Sequence, residues 1–200
     1  MAIPIDFTSI AYISFRLAPF ILVSFFSLAS LFNQDLKGVI YIAGLLIACF
    51  ISITVSQTSN TFDTSGSFAE GEDEMNICQT LTLSGAAPIS KIPLSIIVFV
   101  YTFAYLLYVI VKYHLIKQNM PTLIFFPALV IADILWNKMN NCANVPAIVV
   151  GIIIGGAVGS FWAYMVDSLK LTKMQYMTGM GNAETCSVSK QKFKCTIRKR

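Results

Sequence analysis

Five apolar stretches fill most of this 200-residue chain, and the Lys and Arg residues between them fall almost entirely on alternate sides. The stretches run from Ser9 to Phe32, Gly38 to Val55, Ile92 to Val111, Pro121 to Trp136 and Val145 to Val166. Each is close to the ~20 residues that a helix needs to cross a ~30 Å hydrocarbon layer. The fourth is the shortest and needs the flanking Met120 and Asn137 to reach across.

If all five span, one side receives the N-terminus and the loops Ser56 to Lys91 and Asn137 to Asn144, and carries only Lys91 and Lys138. The other receives Lys37, Lys112, Lys117, Lys170, Lys173, Lys190, Lys192, Lys194, Arg198, Lys199 and Arg200. The positive-inside rule then places the N-terminus outside and the basic C-terminal tail in the cytosol. The sequence therefore predicts an all-α, polytopic integral membrane protein with about five transmembrane helices. Composition agrees, at 56% hydrophobic and 12% charged residues, because a chain whose solvent is mostly lipid has little use for charge.

A cleaved signal peptide is not expected, since Met1 to Asp6 carries no positive charge and Arg16 interrupts the apolar run. Residues 1–56 form a two-helix membrane hairpin turned at Asn33 to Lys37, 57–91 a polar loop, 92–166 a three-helix membrane core and 167–200 a basic tail. The loop gathers Asp63, Glu70, Glu72, Asp73 and Glu74 among Ser, Thr and Gly, as a surface segment does.

Few polar residues lie inside the helices. Arg16, about half a dozen residues into the first, should snorkel outward or bind a lipid phosphate. Pro19 and Pro127 should bend their helices. Asp133 is the one acid deep in a span, which marks it as a functional-site candidate. Its proximity to Trp136 and Asn137 equally fits a polar plug near the outer interface, bonded to Asn140, Asn141 or Asn144. Gly151, Gly155 and Gly159, at four-residue spacing with Gly156 and Ser160 beside them, form a stripe that lets another backbone approach closely. The partner of that stripe is segment three or four, or a second protein.

Cys78 and Cys142 fall in outside loops, Cys186 and Cys195 lie together in the tail, and Cys49 is alone in segment two. Two same-side pairs and one apolar cysteine is an arrangement that disulfides would explain. Zinc has too few ligands, because His114 is the only histidine and no CxxC occurs. A cytosolic disulfide would be unusual in a cell, and less so in an assembled extracellular particle.

No phosphate-binding Gly-rich loop, HExxH or intramembrane carboxylate pair occurs, and His114 lies across the bilayer from the polar loops, so no Ser/His or Cys/His nucleophile pair forms. Neither a cofactor nor a metal is expected. The run from Lys190 through Lys192 and Lys194 to Arg198, Lys199 and Arg200 could meet anionic lipid, an acidic protein or, less favoured, nucleic acid, or simply be a solvated topology signal.

Ile77-Cys78-Gln79, Leu83-Ser84-Gly85, the span around Tyr101-Thr-Phe-Ala-Tyr-Leu, the connector Asn140-Asn-Cys-Ala-Asn144, the glycine-striped helix and Ser189-Lys-Gln-Lys-Phe-Lys-Cys195 together resemble a membrane protein of nucleocytoplasmic large DNA viruses of the algal and giant-virus group. The likeness covers about Cys78 to Cys195, with the tail its most specific part. It implies a component of the lipid membrane beneath an icosahedral capsid. The same region is faintly similar to the core of type-2 phosphatidic acid phosphatases, with Ala86 where that family's first motif has histidine. Asn137-Lys138, Asn144 and Ile148 fall at the spacing of its later catalytic series. None of these can form or protonate a phospho-enzyme, so the resemblance implies a catalytically dead core.

The expected function is that of a minor capsid or internal-membrane structural protein, with lipid, capsid or other virion membrane proteins and a second copy of itself as partners. The rival from another class is a small ion or solute channel or transporter built around Asp133 and Arg16. A lipid-modifying enzyme ranks third. Impermeant amine labelling from one face should modify either the segment around Glu72, through Lys91, or the tail around Lys194, but not both. Labelling of both from the same face would refute the alternating topology.

Overall fold

The computed structural model describes residues 7–33, 36–58, 90–139, 143–169, 184–189 and 192–197, with backbone only for 7–16 and for the last two ranges. Five long helices follow in order: α1 (Phe7–Phe32), α2 (Lys37–Thr58), α3 (Leu94–Lys112), α4 (Met120–Met139) and α5 (Val145–Ser168), with a short 3₁₀ turn at Ile116–Gln118 before α4. All but α1 are long and apolar enough over their described residues to cross a membrane, and α1 adds a described apolar run from Leu17 to Phe32. The chain is an all-α polytopic membrane protein. Helix α4 takes in Met120 and Asn137, as its short apolar run requires.

Both prolines are absorbed within continuous helices, Pro19 in α1 and Pro127 in α4. Pro146 opens α5, where its missing N–H costs nothing because that donor has no intrahelical partner. At the end of α3 the backbone N–H of His114 donates to Val111 O (3.2 Å) and that of Leu115 to Ile110 O (2.9 Å). His114 itself has φ 54°, a left-handed conformation usually given to glycine, and the two bonds satisfy carbonyls that the helix end would leave orphaned. The chain's one histidine thus serves as a helix terminator.

The bundle is built around α3. Its residues Ile96, Ile97, Tyr101, Tyr105, Val109 and Ile110 are fully buried, whereas α4 buries only Phe126, Asp133 and Asn137. Elsewhere large side chains such as Phe25, Phe32, Phe50, Ile124 and Phe161 face outward, an apolar surface that suits lipid and not water. The glycine stripe of α5 finds its partner here. A Cβ at Gly159 would lie 2.6 Å from Tyr101 O, one at Gly155 would lie 3.2 Å from Ile97 O, and one at Gly151 would lie 3.1 Å from Ile92 Cγ2. The stripe therefore packs on segment three of the same chain.

A second close approach joins α2 to this pair. Gly44 lies under the Tyr101 hydroxyl and within 2.5 Å, measured from a would-be Cβ, of Trp162 Cδ1. Through that notch Tyr101 donates to Tyr41 O (3.1 Å) and Trp162 Nε1 to Ile40 O (2.9 Å). The Tyr41 hydroxyl meets Thr102 Oγ1 at 2.6 Å, and its ring stands 4.7 Å from that of Phe26 on α1. The N-terminal hairpin and the three-helix core are thereby packed on each other. The Lys91 N–H also donates to Ser56 Oγ (2.7 Å), which brings the two ends of the long polar segment together.

The tail holds what its charge did not foretell: an antiparallel pair of strands, β1 (Glu184–Ser189) and β2 (Lys192–Ile197). The all-α class describes the membrane part, and the hairpin is an addition to it. Replacing Gly159 by Ala forces a methyl group into a backbone carbonyl that no rotamer change can move, at an expected cost of about 1–3 kcal/mol. Thermal unfolding in detergent should register it, while Gly156→Ala, whose Cβ would meet only Val100 Cγ1 at 3.8 Å, should leave the midpoint unchanged or higher. Equal loss in both variants would refute the packing.

Candidate functional site: polar clusters at the two membrane faces

Charged and polar side chains of the bundle collect at its two ends, each time bridging α3 to a neighbour. At the end where α3 begins, Ser95 Oγ donates to Asp133 Oδ2 of α4 at 2.8 Å. Asn137, one turn on, donates through Nδ2 to the Asp133 backbone carbonyl at 2.8 Å. Asp133 and Asn137 are only 9% and 7% exposed, so both carry the cost of leaving water. Ser95 lies in the first turn of α3, and the positive end of that helix dipole favours a carboxylate beside it.

Among the described residues, Asp133 is met by Ser95 and by Asn137. Ser95 supplies the hydroxyl, where the sequence pointed to Asn140, Asn141 or Asn144. Asn144 instead stands at the N-cap of α5, and Asn140 and Asn141 lie outside the described residues. One carboxylate with one hydroxyl can hold a proton or orient a cation, but it does not make a relay.

At the opposite end, Lys112 pairs with Asp167 of α5, and the Tyr113 hydroxyl donates to the other oxygen of the same carboxylate. Lys112 also lies 5.5 Å from the centre of the Tyr108 ring, which meets Tyr164 edge to face. Burial pushes the Tyr113 phenol up to about 12, and its bond to Asp167 adds to the shift. Aromatic rings around a lysine suit the headgroup level, so this cluster anchors the basic end.

Between the two ends, the buried or half-buried polar groups include Tyr41, Tyr101, Thr102, Tyr105 and Trp162, and Ser52, whose Oγ has no hydrogen-bond partner among the described residues. Tyr41 bonds Thr102 directly, and Tyr101 and Trp162 donate to carbonyls of α2. Thr102 Oγ1 also donates to Val98 O at 2.6 Å. Among the described residues no group of three or more His, Cys, Asp or Glu side chains could hold a metal ion.

The remaining sequence candidates divide by place. Gly151, Gly155 and Gly159 are packing positions, as above. Arg16 lies within α1, where only the backbone is described. Glu70, Glu72, Asp73, Glu74, Cys78, Cys142, Lys190, Arg198, Lys199 and Arg200 lie outside the described residues. Lys192 and Lys194 belong to β2, and the register sets Cys186 directly opposite Cys195. Sequence reasoning missed Gly44, Ser95, Trp162 and Asp167. Asp167 carried a usable signal, since the alternating topology puts it at the same face as Lys112.

No protein-family model, curated protein or solved structure matches this chain. Ser95 and Asp133 offer a direct test of the site. In a double-mutant cycle read by thermal unfolding in detergent, Ser95→Ala should cost about 1.5–3 kcal/mol in the native background, and about 1 kcal/mol less when the carboxylate has already been removed by Asp133→Asn. Strict additivity would mean that the hydroxyl contributes nothing to the carboxylate.

Proposed function

We propose that this chain is a structural protein of the internal membrane of a large double-stranded DNA virus particle, without enzymatic activity, that ties the bilayer to capsid or neighbouring membrane proteins. The viral setting rests on the resemblance of Cys78 to Cys195 described above. The observation that supports the structural role is that the Tyr41 and Tyr101 hydroxyls and the Trp162 indole N–H bond across helices, Tyr41 with Thr102 and the other two to carbonyls of α2. A bundle so committed is a stiff support, and it leaves recognition to the acidic segment Glu70 to Glu74 and the basic run Lys190 to Arg200.

Cys186 and Cys195 are bridged in the mature particle on this reading, and Cys78 pairs with Cys142. The direct opposition of Cys186 and Cys195 in the strand register supports the first bridge, because opposed residues stand about 4.5–5.5 Å apart at Cα, within the span a disulfide needs. Closing a loop of about ten residues would contribute roughly 2–3 kcal/mol. A small channel is the second reading, favoured by the buried Asp133 carboxylate.

Carbodiimide cross-linking of purified particles should join Glu70 to Glu74, or Lys190 to Lys199, to other protein chains, less efficiently at high salt. Non-reducing peptide mapping of the same sample should recover the Cys186 to Cys195 bridge. Links confined to the chain itself would remove the scaffold reading, and free thiols at both positions would remove the bridge.

A further inference from the structure

We propose that the hairpin Glu184–Ile197 is a membrane-surface element that seats its apolar face in the headgroup boundary of an anionic leaflet. The antiparallel register pairs Cys186 with Cys195, Val188 with Phe193 and Glu184 with Ile197, and between them Thr185 with Thr196, Ser187 with Lys194 and Ser189 with Lys192. Directly opposed residues share a face and successive residues alternate. Val188, Phe193, Ile197 and both cysteines therefore stand on one face with Glu184 at its end. The other face holds only hydroxyls and the two lysines.

A lone two-stranded hairpin is marginal in water and needs its apolar face covered. Three features select lipid as the cover. Fifteen residues separate Ser168, at the end of membrane helix α5, from Glu184, so the hairpin stays within about 50 Å of the bilayer surface. From Leu169 onward the chain carries eight Lys or Arg residues against the single acid Glu184. An anionic lipid surface attracts such a segment, whereas a second copy would bring the same positive charge against it, and a nucleic acid would leave the apolar face uncovered. An apolar face with Phe, and a polar face with Lys, is the division by which amphipathic segments lie in the interface.

This inference does not depend on the viral reading, since any bilayer containing anionic lipid suffices. Full-length protein carrying the photo-cross-linker p-benzoylphenylalanine at position 188, 193, 187 or 194 would be reconstituted in nanodiscs with roughly 30% phosphatidylserine. Illumination should give lipid adducts from the Phe193 and Val188 positions at least about fivefold above those from the Ser187 and Lys194 positions, falling when phosphatidylcholine alone is used or salt is raised to about 0.5 M. An unchanged thermal midpoint would confirm an intact bundle for each variant. Chain-to-chain adducts from 188 and 193, equal lipid yields from both faces, yields indifferent to anionic lipid, or no adduct at all would each overturn the proposal.

Discussion

Lipid gives apolar helices no reason to prefer one another over the solvent, so helices in a bilayer stay together through close packing and hydrogen bonds. In this protein that constraint is met where α5 lays Gly155 and Gly159 against the backbone of α3 at Ile97 and Tyr101. A side chain at either position would hold the two helices apart. Everything else in the bundle is arranged around this pair, with α3 at the centre and in contact with all four other long helices.

The Gly44 notch extends the same logic to α2. There the missing side chain admits two aromatic groups, whose Tyr101 hydroxyl and Trp162 indole each reach a carbonyl of α2. Hydrogen bonds between membrane helices average only about 0.6 kcal/mol, less than the overpacking cost of a methyl group placed in such a gap. Shape therefore dominates stability here, and the hydrogen bonds fix which rotation of α2 is accepted. At the two ends polar pairs take over, Ser95 with Asp133 and Lys112 with Asp167, and in each the partner that forms the hydrogen bond offsets the cost of a largely buried carboxylate.

Such a molecule divides its labour by depth. The core ties its helices together through Tyr41, Tyr101 and Trp162 and leaves Ser52 Oγ buried without a hydrogen-bond partner among the described residues, and most charged residues are gathered in polar segments beyond the helices. The register of the hairpin sets Val188, Phe193 and Ile197 on one face and Lys192 and Lys194 on the other.

The sequence by itself determined the five helices, with ends within three residues of those observed, because the need for about 20 apolar residues per crossing is written in composition and not in packing. It also marked the glycine stripe and singled out Asp133. Its alternating charge set the expected sidedness, and its tail cysteines fell where the strands now oppose them. Only the tertiary structure decided that the stripe meets α3, that Gly44 is a notch for Tyr101 and Trp162, and that Ser95 of α3 reaches the Asp133 carboxylate. Those pairings join residues far apart in the chain, such as Ile40 with Trp162 and Ser95 with Asp133. Helix rotation and neighbour choice select them, and neither leaves a mark in local hydropathy.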